Sequence, residues 1–341
     1  MLHLNLTCAP TDQPPQQSYK SVVTRGLASG GNVVVEDFPF HWNKYKYTSH
    51  LAYQRGKSSL PLVLVFPNYA GEKQFDVDQA IFLARCGYTA LSVDMYMEDT
   101  YENGVKYPKS SRNPSRTDSR ETIKQHFAGA FTAYNWFQLH PKRWRDFQSK
   151  LLRKARTHKA VHPKFAAAIG YCFGGQCCLE MVRNGDDIQG IVSFHGLLQN
   201  DPIADASCPW LGHNKRRKYE YHEMPDNSNF NSQCAILIEN GILDDHVNSS
   251  HRHRFAEEMF MHGAKNVRFH DHYDAKHGFA LAPGVISNEY HELSDRRSTI
   301  SMLLLFAELW GRHGYFPQVA EDEVNASGTK IGMYWCTSSK L

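Results

Sequence analysis

Short apolar runs bounded by polar turns alternate along this chain with longer stretches whose apolar residues recur at helical spacing. Pro61-Leu62-Val63-Leu64-Val65-Phe66 is almost continuously apolar, as expected for a central parallel strand covered on both faces. The next segment, Asp76 to Arg85, carries Val77, Ala80, Ile81 and Ala84 at helical spacing and meets a C-cap signal at Gly87. Thr89 to Val93 predicts a strand, residues 97–117 a surface loop, and Arg120 to Leu139 a long helix ended by Pro141. In the stretch Trp144 to Arg156, Trp144, Phe147, Leu151 and Leu152 share one face, which predicts a helix packed on the same domain rather than on a partner. A strand at 165–170, a helix at 174–184 and a strand from Ile188 to Phe194 follow. Beyond them lie a strand from Ala235 to Glu239, a helix from Ser249 to His262, a strand from Val267 to His270 and a helix from Glu289 to Arg312. Strands that alternate with helices in this way predict an α/β fold with a mostly parallel central sheet flanked by helices.

The two ends and one internal segment depart from that alternation. Residues 1–18 are polar and proline-containing and read as a flexible leader. Residues 19–53 are β-like, with Ser21-Val22-Val23 and Asn32 to Val35 around a Gly30-Gly31 turn, and form a β extension to one domain covering 19–313. Residues 199–231 are long and polar, a candidate lid, and 314–341 look like an appendage.

Composition narrows the function classes. The hydrophobic fraction of 41% suits a folded soluble chain, and a net charge of +3 points to no particular partner. The basic run Lys215-Arg216-Arg217-Lys218 has no nucleic-acid motif beside it, so no nucleic-acid partner is expected. No window reaches the ~18–20 uninterrupted apolar residues of a membrane span, and the N-terminus does not read as a signal peptide. The 8 cysteines are too scattered for a disulfide scaffold. A cytoplasmic setting is therefore expected, with a small molecule as partner. Composition does not speak to oligomeric state.

Candidate chemistry centres on Gly170-Tyr171-Cys172-Phe173-Gly174. A strand, a glycine-framed turn and a helix are what a nucleophile elbow requires, here with cysteine in the place usually held by serine. Triad members in such folds arrive in the order nucleophile, acid, histidine, with the last two just past strand ends. Gly241-Ile242-Leu243-Asp244-Asp245 offers the acid after one strand, with Asp244 favoured and Asp245 its rival, and Ala275-Lys276-His277-Gly278 offers the histidine after the next. His277 would take the thiol proton and return it to the leaving oxygen, while Asp244 fixes its tautomer. The backbone N–H groups of Phe173 and Tyr69 are the expected oxyanion donors, Tyr69 lying in the loop Pro67-Asn68-Tyr69-Ala70-Gly71. His251-x-His253 and His270-x-His272 have metal-like spacing but no accompanying carboxylate pattern, so no metal is expected.

Taken together, LVLVFPNYAGE, ARCGYTALSVDMY, AAAIGYCFGGQCCLEM, IVSFHGLL, GILDDHV and AKHGFA, spread over about residues 60–283, resemble the dienelactone hydrolase family. The resemblance implies an α/β-hydrolase fold with a Cys-Asp-His triad, no cofactor, and hydrolysis of small esters or lactones. It assigns the triad to Cys172, Asp244 and His277, preferring Asp244 because the acid stands three residues after the glycine and three before the valine. Two departures qualify it. Where the family commonly has a thiol-contacting glutamate, this chain has Asn68, which can hydrogen-bond a thiol but cannot take its proton. The family's substrate-carboxylate arginine just beyond the triad histidine is also missing, leaving Arg112, Arg116 or Arg120 as substitutes and making dienelactone itself a poor expectation. The alternative function is a catalytically weak relative that binds or regulates through a small molecule. A third is a thiol redox sensor pairing Cys172 with Cys177 or Cys178.

Overall fold

The computed structural model describes residues 33–96, 106–107, 114, 117–198, 227–283, 285 and 289–311. Its centre is an 8-stranded sheet in the order β1-β2-β4-β3-β5-β6-β7-β8. The strands are β1 (Val33–Trp42), β2 (Tyr45–Gln54), β3 (Leu60–Phe66), β4 (Thr89–Ser92), β5 (Val161–Tyr171), β6 (Gly190–Phe194), β7 (Ala235–Gly241) and β8 (Asn266–His272). β1 and β2 form an antiparallel hairpin, and β2 pairs antiparallel with β4. From β4 across to β8 every pairing is parallel. This is the mostly parallel, helix-flanked sheet that the alternation predicts and is consistent with the α/β-hydrolase fold that the resemblance implies.

Both faces of the sheet are covered, which is why the central strands read as continuous apolar runs. Leu62, Leu64 and Phe66 point into one buried cluster, while Val63 and Val65 point into the other. The second cluster is roofed by α1 (Gln74–Arg85) and α6 (Glu292–Trp310). The first lies under α2 (Arg120–Leu139), α3 (Pro141–Ala155), α4 (Phe173–Asn184) and α5 (Ser249–Met261). Trp144, Phe147, Leu151 and Leu152 of α3 are buried there. That helix therefore packs within the fold. No helix among the described residues is long and apolar enough to cross a membrane.

Several boundaries differ from the sequence expectation for local reasons. Pro141 does not merely end α2: it stands at the first position of α3, where its missing N–H costs nothing. β5 begins at Val161 rather than 165, because Val161 pairs with Leu60 before a register shift brings Ala166 opposite Leu62. The expected strand at Ser21 to Val23, most of the 97–117 loop, residues 199–226 of the expected lid and the 314–341 appendage lie outside the described residues.

The strand order places a switch point between β3 and β5, since the chain winds outward from β3 to β4 and then returns to add β5 on the other side. Crevices at such points, beyond the carboxyl ends of the strands, are where open α/β sheets bind ligands. The segment after β3 and the segment after β5 flank that crevice.

Candidate active site

Cys172 follows β5 directly and occupies the N-cap of α4 with φ 56° and ψ −113°. A non-glycine residue at that φ is strained and persists only where the surroundings enforce it. Here Cys172 N–H donates to the Phe194 carbonyl at 3.0 Å, and the Cys172 carbonyl accepts from Gly175 N–H at 3.0 Å. The flanking glycines are required by contact. A Cβ on Gly170 would lie 2.0 Å from the Gly174 carbonyl oxygen, and one on Gly174 would lie 2.2 Å from the Phe66 carbonyl oxygen. The turn thus seats the start of α4 directly on the end of β3, with Cys172 partly exposed above it.

His277 and Asp244 converge beside it. His277 Nδ1 lies 2.9 Å from Asp244 Oδ2. The other carboxylate oxygen, Oδ1, accepts from the backbone N–H of His246 at 2.8 Å and of Val247 at 3.2 Å. Asp244 is buried and its orientation fixed, whereas Asp245 points outward with a side chain 76% exposed. Burial would lower the pKa of His277. The charge on Cys172, together with hydrogen bonds to Asp244 and to the Cys172 side chain, outweighs burial and raises it to about 10. The imidazolium form of His277 is thus favoured where it faces the Cys172 side chain, and thiolate is the form of cysteine that attacks carbonyl carbon.

Two further histidines frame His277, and neither was singled out by spacing. The His246 ring stands edge-on at 4.3 Å between centroids, and the His195 ring at 5.2 Å. His195 follows β6 with φ 39° and is fully buried against Tyr171 and Phe279. Burial, then the charge of His277, lowers His246 to about 4 and keeps it neutral. Both residues stand at strand ends inside motifs already notable for other members, and ring packing leaves no trace in sequence spacing.

The loop after β3 is held from several sides. Asn68 is fully buried, and its Oδ1 accepts from Ala70 N–H at 2.9 Å, closing a local turn. Gly71 N–H donates to the Asn68 carbonyl at 3.0 Å. Tyr96 donates its hydroxyl to the Tyr69 carbonyl at 2.8 Å, and Tyr107 donates to that of Ala70 at 2.5 Å. With Ala70 and Gly71 committed, Tyr69 N–H has no hydrogen-bond partner among the described residues. Phe173 N–H, at the first position of α4, has none within its helix either. Both expected oxyanion donors are thus uncommitted, at the two edges of the crevice. Glu72, missed by sequence reading, ties this loop to β2 through His50 Nδ1 at 3.0 Å and to β4 through the Ser92 hydroxyl.

Other expectations resolve locally. His270 and His272 both bond the buried Glu239, at 2.9 and 2.6 Å. His251 Nδ1 lies 3.1 Å from the His246 carbonyl oxygen, and His253 pairs with Glu257. Among the described residues no group of three or more His, Cys, Asp or Glu is arranged to hold a metal ion. Cys177 and Cys178 are fully buried free thiols, and burial pushes both well above the ordinary thiol range. Arg120 is exposed at the start of α2, while Arg112 and Arg116 lie outside the described residues.

Comparison with known proteins adds an independent line. The family model described as the dienelactone hydrolase family matches residues 49–309. No curated protein matches the sequence. Among solved structures, the fold resembles a dienelactone hydrolase-like promiscuous phosphotriesterase from metagenomic libraries, with TM-score 0.56 and 22% identity over 82% of this chain and 99% of that one. It also resembles the acylaminoacyl peptidase of Pyrococcus horikoshii, with TM-score 0.53 and 12% identity over 86% of this chain and 44% of that one. At these identities the likeness is one of fold.

Proposed function

The chain belongs to the dienelactone hydrolase family, and from that premise we propose that it is a hydrolase of small carboxylic esters or lactones working through an acyl-thioester on Cys172. The observation that carries the reading is the convergence of His277 and Asp244, 2.9 Å apart, beside a cysteine held at φ 56°. Cys172 attacks the carbonyl carbon as thiolate, and the carbonyl oxygen takes the electron pair and rests on the Phe173 and Tyr69 N–H groups. The tetrahedral intermediate collapses, the C–O bond to the leaving group breaks, and His277 protonates the departing oxygen. Water then attacks the thioester, gives its proton to His277, and expels the carboxylic acid while Cys172 leaves as thiolate. Asp244 keeps the Nδ1 proton facing itself, so that Nε2 serves the reaction. No cofactor enters these steps, and the free thiol they need suits a reducing cytoplasm.

Asn68 bears on how the thiol is activated. Its oxygen is spent on the Ala70 N–H, so activation rests on His277 and on the N-terminal end of α4. Turnover of 4-nitrophenyl acetate and of small lactones is the test. The proposal expects hydrolysis that disappears in Cys172→Ala. No turnover on either class, with tight binding of a small molecule instead, would replace it with the binding-protein reading.

A further inference from the structure

The substrate class can be read from what adjoins the oxyanion donors. We propose that the acyl group of the substrate is uncharged and aromatic, and that it lies against a wall formed by Tyr69, Phe127, Phe131 and Tyr134. The inference rests on the ester-hydrolase reading above and deepens it.

Phe127, Phe131 and Tyr134 stand at intervals of four and three along α2 and so share one helix face. All three are only partly buried, unlike the core residues Ala130, Ala133 and Phe137 of the same helix. The Tyr69 ring stacks on Phe131 at 5.0 Å between centroids and 26°, and lies 6.4 Å from Phe127. Tyr134 stands edge-on to Phe173 at 5.1 Å. The wall thus touches both residues whose N–H groups are the expected oxyanion donors, and the Tyr69 hydroxyl feels the charge of Cys172.

Direction separates the acyl from the alcohol side. His277, which must face the leaving oxygen, approaches from the segment after β8, on one side of β5. Tyr69 and the rings stacked on it lie on the β3 side, so the acyl group faces them. Charge separates aromatic from anionic acyl groups. Lys73 is buried and donates to the Tyr107 hydroxyl, and burial lowers His126 to about 4, so neither offers a free cation. Lys124 and Arg120 are exposed on the outer turns of α2. Lys124 stands one turn before Phe127, at the end of the wall away from Phe173, and at ~1.5 Å per residue is roughly 15 Å along the axis from Tyr134, the ring that meets Phe173. A carboxylate at the Tyr134 end of the wall would lose its hydration without gaining a cationic partner among the described residues, whereas a planar ring gains stacking area.

The test compares kcat/KM for 4-nitrophenyl phenylacetate and 4-nitrophenyl hydrogen succinate, which share a leaving group, with 4-nitrophenyl acetate as reference. The phenylacetyl ester is expected to exceed the succinyl ester by about tenfold or more. Phe131→Ala should shrink that ratio, and Phe131→Arg should tilt it toward the succinyl ester. Equal rates in the wild type, a succinyl preference, or a ratio unmoved by both substitutions overturns the wall while acetate turnover upholds the hydrolase. If the wild type turns over no acetate and Cys172 forms no acyl adduct, the hydrolase reading fails and the wall falls with it.

Discussion

Replacing Asp244 with asparagine tests the triad with little change of shape. In the native site one carboxylate oxygen accepts two backbone N–H groups, from His246 and Val247, and the other faces His277 Nδ1 at 2.9 Å. An asparagine must keep its oxygen on the two amides, since an NH2 there would meet two donors. Its NH2 group then faces His277 Nδ1 and makes that nitrogen an acceptor. The imidazole proton moves to Nε2, where it can no longer accept the thiol proton. The substitution also removes two of the influences that raise His277 to about 10, the hydrogen bond and the charge of Asp244. A wrong tautomer of this kind costs roughly 10⁴-fold in kcat in the Ser-His-Asp case, and about 10³–10⁴-fold is expected here. The assay is kcat/KM on 4-nitrophenyl acetate from pH 5 to 10, beside the rate of Cys172 alkylation by iodoacetamide. Alkylation at pH 6 should fall with turnover, because both need the thiolate. Activity within about threefold of wild type, in a variant with unchanged melting temperature, would refute the assigned role of Asp244.

Three further outcomes follow from the same geometry. Gly174→Ala places a Cβ 2.2 Å from the Phe66 carbonyl oxygen and 2.8 Å from that of Pro67; overpacking of this order costs about 1–3 kcal/mol, readable in urea unfolding, and should depress activity further by shifting the Tyr69 loop. His277→Gln removes the charge that helps lower His246, so its pKa, followed by NMR, should rise from about 4 yet stay below the ordinary 6.5 because burial, the larger cause, remains. Glu180→Ala strips a shared partner from the buried guanidinium groups of Arg145 and Arg183, each 2.7–2.9 Å from it; a loss of about 3–5 kcal/mol is expected, against under about 1 kcal/mol for Lys150→Ala at the exposed pair with Asp146.

The parallel sheet was legible because strands covered on both faces must be apolar throughout, as Leu62 to Phe66 and Ala235 to Ile238 are. The start of β5 was not, because Val161-His162-Pro163-Lys164 mixes polar residues with a proline and pairs across a register shift. The order of Cys172, Asp244 and His277 along the chain follows from topology, which carries each to the end of a different strand. Between the neighbours Asp244 and Asp245 residue type alone could not choose. The distinction lies in which carboxylate turns inward, under two backbone N–H groups, and which turns to solvent. His195 and His246 escaped notice for a related reason: their contact with His277 is ring against ring, made by chain segments remote from one another or turned by a tight loop. Asn68 was legible as a departure from a family pattern, but its occupation by the Ala70 N–H required coordinates.

The central claim is an acyl group carried on Cys172. Mixing the protein with excess 4-nitrophenyl acetate, quenching in acid within milliseconds to seconds, and measuring intact mass and peptide masses tests it directly. The account predicts a single acetyl adduct on the peptide containing Cys172, appearing with a burst of nitrophenolate, decaying with turnover, and absent in Cys172→Ala. Hydrolysis that continues in Cys172→Ala, or an adduct confined to another residue, would contradict it.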